Sequence, residues 1–139
     1  MSLQSDTENE IPALTVEVAR AAFPNGNQYM RLRDEMGMLF KDEQFEELYS
    51  RRGQPAEAPW RLSLITLMQF MEDLTDRETA NAVRARIDWK YALGLALDDP
   101  GFHYSVLSEF RARLVNGKAE AKLLDTILNW SREKGYLKD

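Results

Sequence analysis

Few residues in this sequence could carry catalytic chemistry. The chain has no cysteine and a single histidine, His103. No serine stands in a nucleophile-elbow context, and no glycine-rich phosphate loop follows a strand pattern. Asp98 and Asp99 form an adjacent acid pair, which could bind a metal or share a proton. The Pro100-Gly101 that follows favours a turn in which these acids cap backbone groups.

His103 lies between Phe102 and Tyr104. A metal site needs further ligands, and the sequence offers no partner set at a suitable spacing. We therefore expect a packed or capping histidine. The sequence predicts no catalytic residue, no metal, no cofactor and no small-molecule substrate for this chain.

Residues 106–115 predict an amphipathic helix that could contact nucleic acid. At 100° per residue, its apolar stripe consists of Val106, Leu107, Phe110 and Leu114. Arg111 and Arg113 fall on opposite flanks of this stripe, and Ser105, Ser108 and Ala112 form a small outer face. A helix in a major groove needs small residues near the bases and cations near the phosphates.

Arg77 and Arg84 share one face of the preceding helix, seven residues apart. The candidate DNA contacts are therefore Arg77, Arg84, Ser105, Ser108, Arg111, Arg113 and Lys118. Glu109 opposes this interpretation, because it lies near the centre of the outer face and would repel phosphate. The alternative is an ordinary amphipathic helix with solvated arginines, and the residues alone favour that alternative.

The helices in the first part of the chain are predicted from the residues that cap or stop them. Thr15, Asn27 and Asp42 are candidate N-caps of three helices, of which the first stops at Pro24 and the second runs to about Phe40. Residues 51–58 contain a glycine and a proline and predict a loop.

The segment 59–73 predicts the central helix. Pro59 suits a first helical position, where its missing N–H costs nothing. The apolar residues that cover most of the circumference are Leu62, Leu64, Ile65, Leu67, Met68, Phe70 and Met71. A helix that is apolar nearly all round must be buried.

Residues 75–116 predict a helix-turn-helix-like unit. Thr75 and Glu78 form a capping box for a helix that runs to about Ile87. A shorter helical piece carries Trp89 to Leu95, a turn occupies 98–101, and Ser105 is a candidate N-cap for the helix 106–115. Asn116-Gly117 predicts its left-handed end. A last helix spans about 118–134 and ends at Gly135.

These elements predict an all-α fold, a compact bundle of about seven or eight helices around the helix 59–73. The 139 residues fit one domain, and a hydrophobic content of 44% suffices for a packed core. Residues 1–13 are polar and acidic, so we expect a disordered tail followed by a single domain over 14–139.

Charge and composition limit the partners and the cellular compartment that we expect for this protein. The net charge is −5, which counts against a simple nucleic-acid binder. Residues 1–73 carry −6 and residues 74–139 carry +1, so the acid lies mostly outside the region of interest. The absence of cysteine favours a reducing cytoplasm. No apolar run approaches the ~18 residues of a membrane span, so we expect no membrane association.

Several motifs resemble the N-terminal domain of bacterial insertion-sequence transposases, the InsH-like group with a DDE catalytic domain. The resemblance covers roughly residues 15–137. It rests on Gly53-Gln54-Pro55 with Pro59, on 74–78 (LTDRE), on 88–95 (DWKYALGL), on 99–102 (DPGF) and on 105–114 (SVLSEFRARL). Each motif alone is weak, but their order and spacing together are specific.

The resemblance implies that the whole protein cuts and rejoins transposon DNA in an RNase H-like domain, with acidic residues and a divalent metal. That domain would follow Asp139. This chain would then be a non-catalytic region in the bacterial cytoplasm, nucleoid-associated when bound. Many members have Asp-His where this chain has His103-Tyr104, a threonine at Val106 and, in some, a basic residue at Glu109.

Two functions therefore remain open. The first is DNA binding at the terminal inverted repeats of a transposon, favoured by the layout of residues 74–118. The second is a helical protein–protein module that assembles transposase subunits into a homo-oligomer. The acidity of residues 1–73 favours the second.

Overall fold

The computed structural model describes residues 10–40, 59–116 and 118–137. These ranges contain seven α-helices and no strand, which confirms the all-α prediction. The helices are α1 Ala13–Ala22, α2 Gln28–Phe40, α3 Pro59–Glu72, α4 Asp76–Ala85, α5 Ile87–Leu93, α6 Ser105–Asn116 and α7 Lys118–Glu133. Within the same ranges, no helix is long and apolar enough to cross a bilayer.

Helix α3 is the centre of the bundle, as predicted. It packs against α7 along one side and against α4 and α5 on others. Its buried residues include Leu62, Leu64, Ile65, Leu67 and Met68, each at most 1% exposed. The prediction that Phe70 is buried was wrong, because this side chain is 65% exposed. Ser63 lies on the same stripe of the helix, two turns earlier, and is fully buried, so this stripe becomes exposed near the C-terminal end of α3.

A single main core joins six of the seven helices. Its largest members are Tyr29, Trp60, Trp89 and Phe110, and α7 contributes Leu123 and Ile127. A second, smaller cluster lies under α1, where Ala19 meets Met30 and Tyr91. Helix α5 contributes to both clusters, so this short helix links α1 to the rest of the bundle.

Three predicted helix ends are confirmed. The side-chain oxygen of Asn27 accepts hydrogen bonds from the amides of Tyr29 (3.1 Å) and Met30 (3.0 Å), as an N-cap does. Thr75 and Glu78 form the reciprocal capping box at the start of α4. Gly135 follows the end of α7 with a φ of 88°, where a side chain would be strained.

The prediction for Thr15 was wrong. Helix α1 already begins at Ala13, and Thr15 lies within it as a fully buried residue. Its hydroxyl donates to the carbonyl of Leu95 at 2.8 Å. That carbonyl lies beyond the end of α5, so a buried donor from another helix satisfies it.

Two other boundaries differ from prediction. Helix α4 ends at Ala85 rather than Ile87, because Arg86 adopts an extended backbone with φ −94° and ψ 128°. Helix α6 begins at Ser105 itself. The amide of Ser105 donates to Nδ1 of His103 at 3.2 Å, which confirms the capping role expected for that histidine.

Some predictions fall outside the described ranges. They are the helix capped by Asp42, the loop at 51–58, the left-handed Gly117 and most of the N-terminal tail 1–13. The single-domain interpretation of 14–139 therefore stays a prediction.

Candidate nucleic-acid interface

Arg86 fixes the junction between α4 and α5 and so orients the candidate surface. One terminal nitrogen of its guanidinium donates to both carboxylate oxygens of Glu72, at 2.9 and 2.8 Å. The other edge donates to Asp88, at 3.2 and 2.9 Å. The guanidinium also lies over the rings of Tyr29 and Trp89, at 5.6 and 5.3 Å from their centroids. Arg86 therefore ties α2, α3 and α5 to the end of α4.

The two carboxylates that bind Arg86 each accept a further hydrogen bond from α2 or from the residue that caps it. The hydroxyl of Tyr29 donates to Glu72 at 2.5 Å, and Asn27 donates to Asp88 at 3.1 Å. Burial, followed by the hydrogen bond to Glu72, raises the pKa of Tyr29. Burial opposes the charge of Arg86, but its hydrogen bonds and ion pairs with Asp88 and Glu72 outweigh it, so the pKa of Arg86 is raised.

Helix α5 is held at its other end by two arginines. Arg33 donates to the carbonyl of Ala92 at 3.0 Å, and Arg61 donates to the carbonyl of Leu93 at 2.8 Å. Cations at a helix C-terminus are favourable because the last carbonyls carry partial negative charge. Burial, with the nearby charge of Arg61, lowers the pKa of Arg33 to about 10.

Helix α4 presents two arginines to solvent. Thr79, Ala80, Ala82 and Val83 form its buried face, whereas Arg77 and Arg84 are exposed. One terminal nitrogen of Arg77 donates to the hydroxyl of Tyr104 at 3.1 Å, and its guanidinium lies 4.8 Å from the centre of that ring. Nε of Arg84 donates to the carbonyl of Pro100 at 3.3 Å. In the part of the chain that the structure describes, neither arginine has a carboxylate within ion-pair distance.

The loop beside α4 is built around Asp99. Its side chain accepts from the amide of Gly101 at 2.8 Å, and its carbonyl accepts from the buried ammonium of Lys90. This confirms the turn and capping role predicted for Asp99. Gly101 has a φ of 74°, and a Cβ there would lie 3.5 Å from Val83. The loop therefore passes closely over α4 and brings Pro100 within reach of Arg84.

His103 and Tyr104 form a stacked pair next to Arg77, with ring centroids 4.3 Å apart and planes inclined by 29°. His103 is exposed, and its Nδ1 is occupied by the amide and the hydroxyl of Ser105, the latter at 3.0 Å. The cation, the phenol and the imidazole thus follow one another along the surface.

The arginines of α6 are compensated by acids. Arg111 binds Asp76 with two parallel bonds of 2.9 and 2.6 Å. The hydrogen bond to Arg111 is the main reason why the pKa of Asp76 is lowered. The same hydrogen bond is the main reason why the pKa of Arg111 is raised. Arg113 pairs with Glu120 at 3.2 Å. These arginines were predicted to meet phosphate, yet the structure directs both towards carboxylates of α4 and α7.

The other residues of the candidate DNA-contact surface offer fewer groups to a ligand. Ser108 is exposed, but its hydroxyl donates to the carbonyl of Ser105 at 3.0 Å, within its own helix. Ser105 is half-buried beside His103. Lys118 begins α7, and its side chain lies outside the described residues. Glu109 is exposed and has no cationic partner among the described residues.

Local charge therefore distinguishes two neighbouring surfaces. On α6, Asp76 and Glu120 balance the two arginines, and Glu109 leaves the surface negative. On α4, neither Arg77 nor Arg84 has an ion-pair partner over the described ranges, and these two arginines outnumber the one unpaired acid of the helix, Glu78. Sequence reasoning missed Asp76 as a partner, because it lies 35 residues before Arg111 and its place in the first turn of α4 already explained it.

The same ranges contain no group of three or more acidic, histidine or cysteine side chains that could hold a metal ion. The fold and this surface together define an all-helical domain that presents uncompensated arginines on a helix next to its central core.

A family model described as "Transposase domain (DUF772)" matches residues 17–113. The chain therefore belongs to this transposase-domain family, which confirms the resemblance at family level. No curated protein and no solved structure matches the chain.

Proposed function

We propose that this chain is the non-catalytic N-terminal region of an InsH-like, DDE-type transposase and binds the DNA of transposon ends. The observation that carries the proposal is the pair Arg77 and Arg84. Both are exposed on one face of α4, and neither is neutralised by a carboxylate in the described part of the chain. Helices α4 to α6 form the helix-turn-helix-like unit of this proposal.

The physical reason is that phosphate contacts supply most of the affinity of a protein for DNA. Arginine is suited to this role because it keeps its charge and can bind a phosphate through two N–H groups. In Arg77 and Arg84 part of each guanidinium is used by a phenol oxygen and a carbonyl oxygen, which carry no net charge. The positive charge remains available to phosphate.

The test is fluorescence anisotropy of the chain on duplexes from the element's terminal inverted repeats and on scrambled duplexes, across a salt series. We expect Arg77→Ala and Arg84→Ala each to weaken binding to all duplexes and to flatten the slope of log K against log salt by ~0.9. Arg113→Ala is the matched control, because Glu120 already neutralises Arg113. Equal effects of all three substitutions, or no effect of any, would contradict the proposal.

Assembly of transposase subunits is the second candidate function. The observation that favours it is the exposure of Phe70 (65%) and Val115 (83%), which are large apolar side chains. Phe70 borders a surface groove of about 380 Å³ that also includes Leu74 and Arg111. Sedimentation at increasing concentration tests this candidate. A dimer that Phe70→Ser dissociates supports it, and a monomer at all concentrations counts against it.

We further propose that the chain does not cleave or join DNA and needs no cofactor. In the whole protein this chemistry belongs to the metal-dependent catalytic domain that the resemblance implies. Incubation of the purified chain with supercoiled DNA and magnesium or manganese tests the point. Nicking that persists through further purification would refute it.

A further inference from the structure

The exposed face of α4 has an asparagine at its centre. With about 100° per residue, the buried residues Thr79, Ala80, Ala82 and Val83 centre on a direction about 180° from Asn81. Asn81 is exposed and lies between Arg77 and Arg84 along the helix. Over the described ranges its amide has no hydrogen-bond partner.

The neighbours of Asn81 leave room for a ligand. Ala85, one turn later on the same face, is small and exposed. Glu78 also lies at the edge of this face, and its carboxylate accepts the amide of Thr75 in the capping box at 2.9 Å. This bond holds the carboxylate at the start of α4, and the two arginines outnumber it on the face. The arginines lie one turn before and one turn after Asn81, and the rise between them is about 10.5 Å.

We infer that α4, rather than α6, enters the major groove of DNA and that Asn81 reads an adenine there. This inference rests on the proposed function. The NH2 group of a side-chain amide can donate to the N7 acceptor of adenine, while its carbonyl oxygen accepts from the N6 amino group. Its best match in the major groove is therefore the N6 and N7 edge of adenine. Arg77 and Arg84 then contact the phosphates that border the groove, which positions the helix without reading sequence.

On α6 the corresponding arrangement is absent. Its arginines are bound to Asp76 and Glu120, its central outer residue is the acid Glu109, and the hydroxyl of Ser108 donates within its own helix. Entry of this face into a groove would bring a carboxylate towards phosphate and would compete with two ion pairs.

The experiment is selection of duplexes from a random pool by the 139-residue chain, by Asn81→Ala and by Ser108→Ala. Alanine is favourable at an exposed helical position, so Asn81→Ala keeps the fold, and circular dichroism verifies this. We expect the unmodified chain and Ser108→Ala to select one motif and Asn81→Ala to lose its preference for an adenine at one position.

A second measurement identifies the contact atom. At that position adenine is replaced by 7-deazaadenine, which lacks the N7 acceptor. The unmodified chain should lose between about 5-fold and 150-fold in affinity for the modified duplex, and Asn81→Ala should lose none.

The outcomes separate the inference from the proposed function. If the chain binds duplexes but Asn81→Ala selects the same motif, or if the chain selects no motif, α4 does not read bases and the inference fails, while DNA binding stands. If Ser108→Ala alone changes the motif, α6 is the reading helix and the inference also fails. If the chain binds no duplex at any salt concentration, both fail.

Discussion

Replacement of Arg86 by alanine should destabilise the fold far more than replacement of any exposed arginine. Arg86 makes four hydrogen bonds to two carboxylates, and the side chains of Arg86, Glu72 and Asp88 are 36%, 27% and 7% exposed. Exposed ion pairs contribute ~0.2–1 kcal/mol, whereas removal of one partner from a buried pair costs ~3–5 kcal/mol. The partial exposure of Arg86 places the expected loss between these limits, at about 2–3 kcal/mol.

The assay is urea unfolding, followed by the fluorescence of the buried residues Trp60 and Trp89. With a slope of ~1–3 kcal/mol per molar urea, the loss should lower the midpoint by roughly 0.7–3 M. Arg86→Lys should recover part of the stability, because an ammonium keeps the charge but cannot bridge two carboxylates with a planar fork.

Arg84→Ala is the matched control, two residues earlier in the chain. Arg84 is exposed and makes one hydrogen bond to a carbonyl, so its loss should change the free energy of unfolding by less than ~0.5 kcal/mol. If Arg86→Ala costs no more than Arg84→Ala, the network does not hold α2, α3 and α5 together in the way described.

Leu67→Ala should lower the free energy of unfolding by ~2–5 kcal/mol, because Leu67 is fully buried in the central helix. Phe70 lies in the same helix but is 65% exposed, so Phe70→Ala should cost under ~1 kcal/mol in the same denaturant melts. If Leu67→Ala and Phe70→Ala cost the same, the core has been assigned wrongly. Asp76→Asn should release Arg111 and strengthen non-specific DNA binding in the anisotropy assay, whereas unchanged binding would show that Arg111 cannot reach phosphate. The folded pKa of Asp76 is lowered, so its pair stabilises the fold above the unfolded pKa of ~3.9 and is lost as pH falls through the folded value. The stability difference between the parent chain and Asp76→Asn should therefore shrink below about pH 4 in melts at different pH.

The sequence alone determined the local elements of this protein. Helix starts at Asn27, Pro59 and Thr75 were predictable because a capping side chain or a proline acts on backbone groups only a few residues away. The central position of α3 followed from its apolar circumference. The turn at Asp99 followed from Pro100-Gly101 in the same way. The family was also indicated by ordered motifs and is shown by the match over residues 17–113.

Tertiary structure alone decided how the candidate site residues are used. Periodicity placed Arg111 and Arg113 on the flanks of α6, but their ion pairs with Asp76 and Glu120 depend on how three helices pack. The same packing buried Thr15 against a distant carbonyl and exposed Phe70. A charged side chain pairs with whatever opposite charge the fold brings near it. Residues far apart in the chain therefore determine which arginines are paired with carboxylates, and helical periodicity carries no information about these partners.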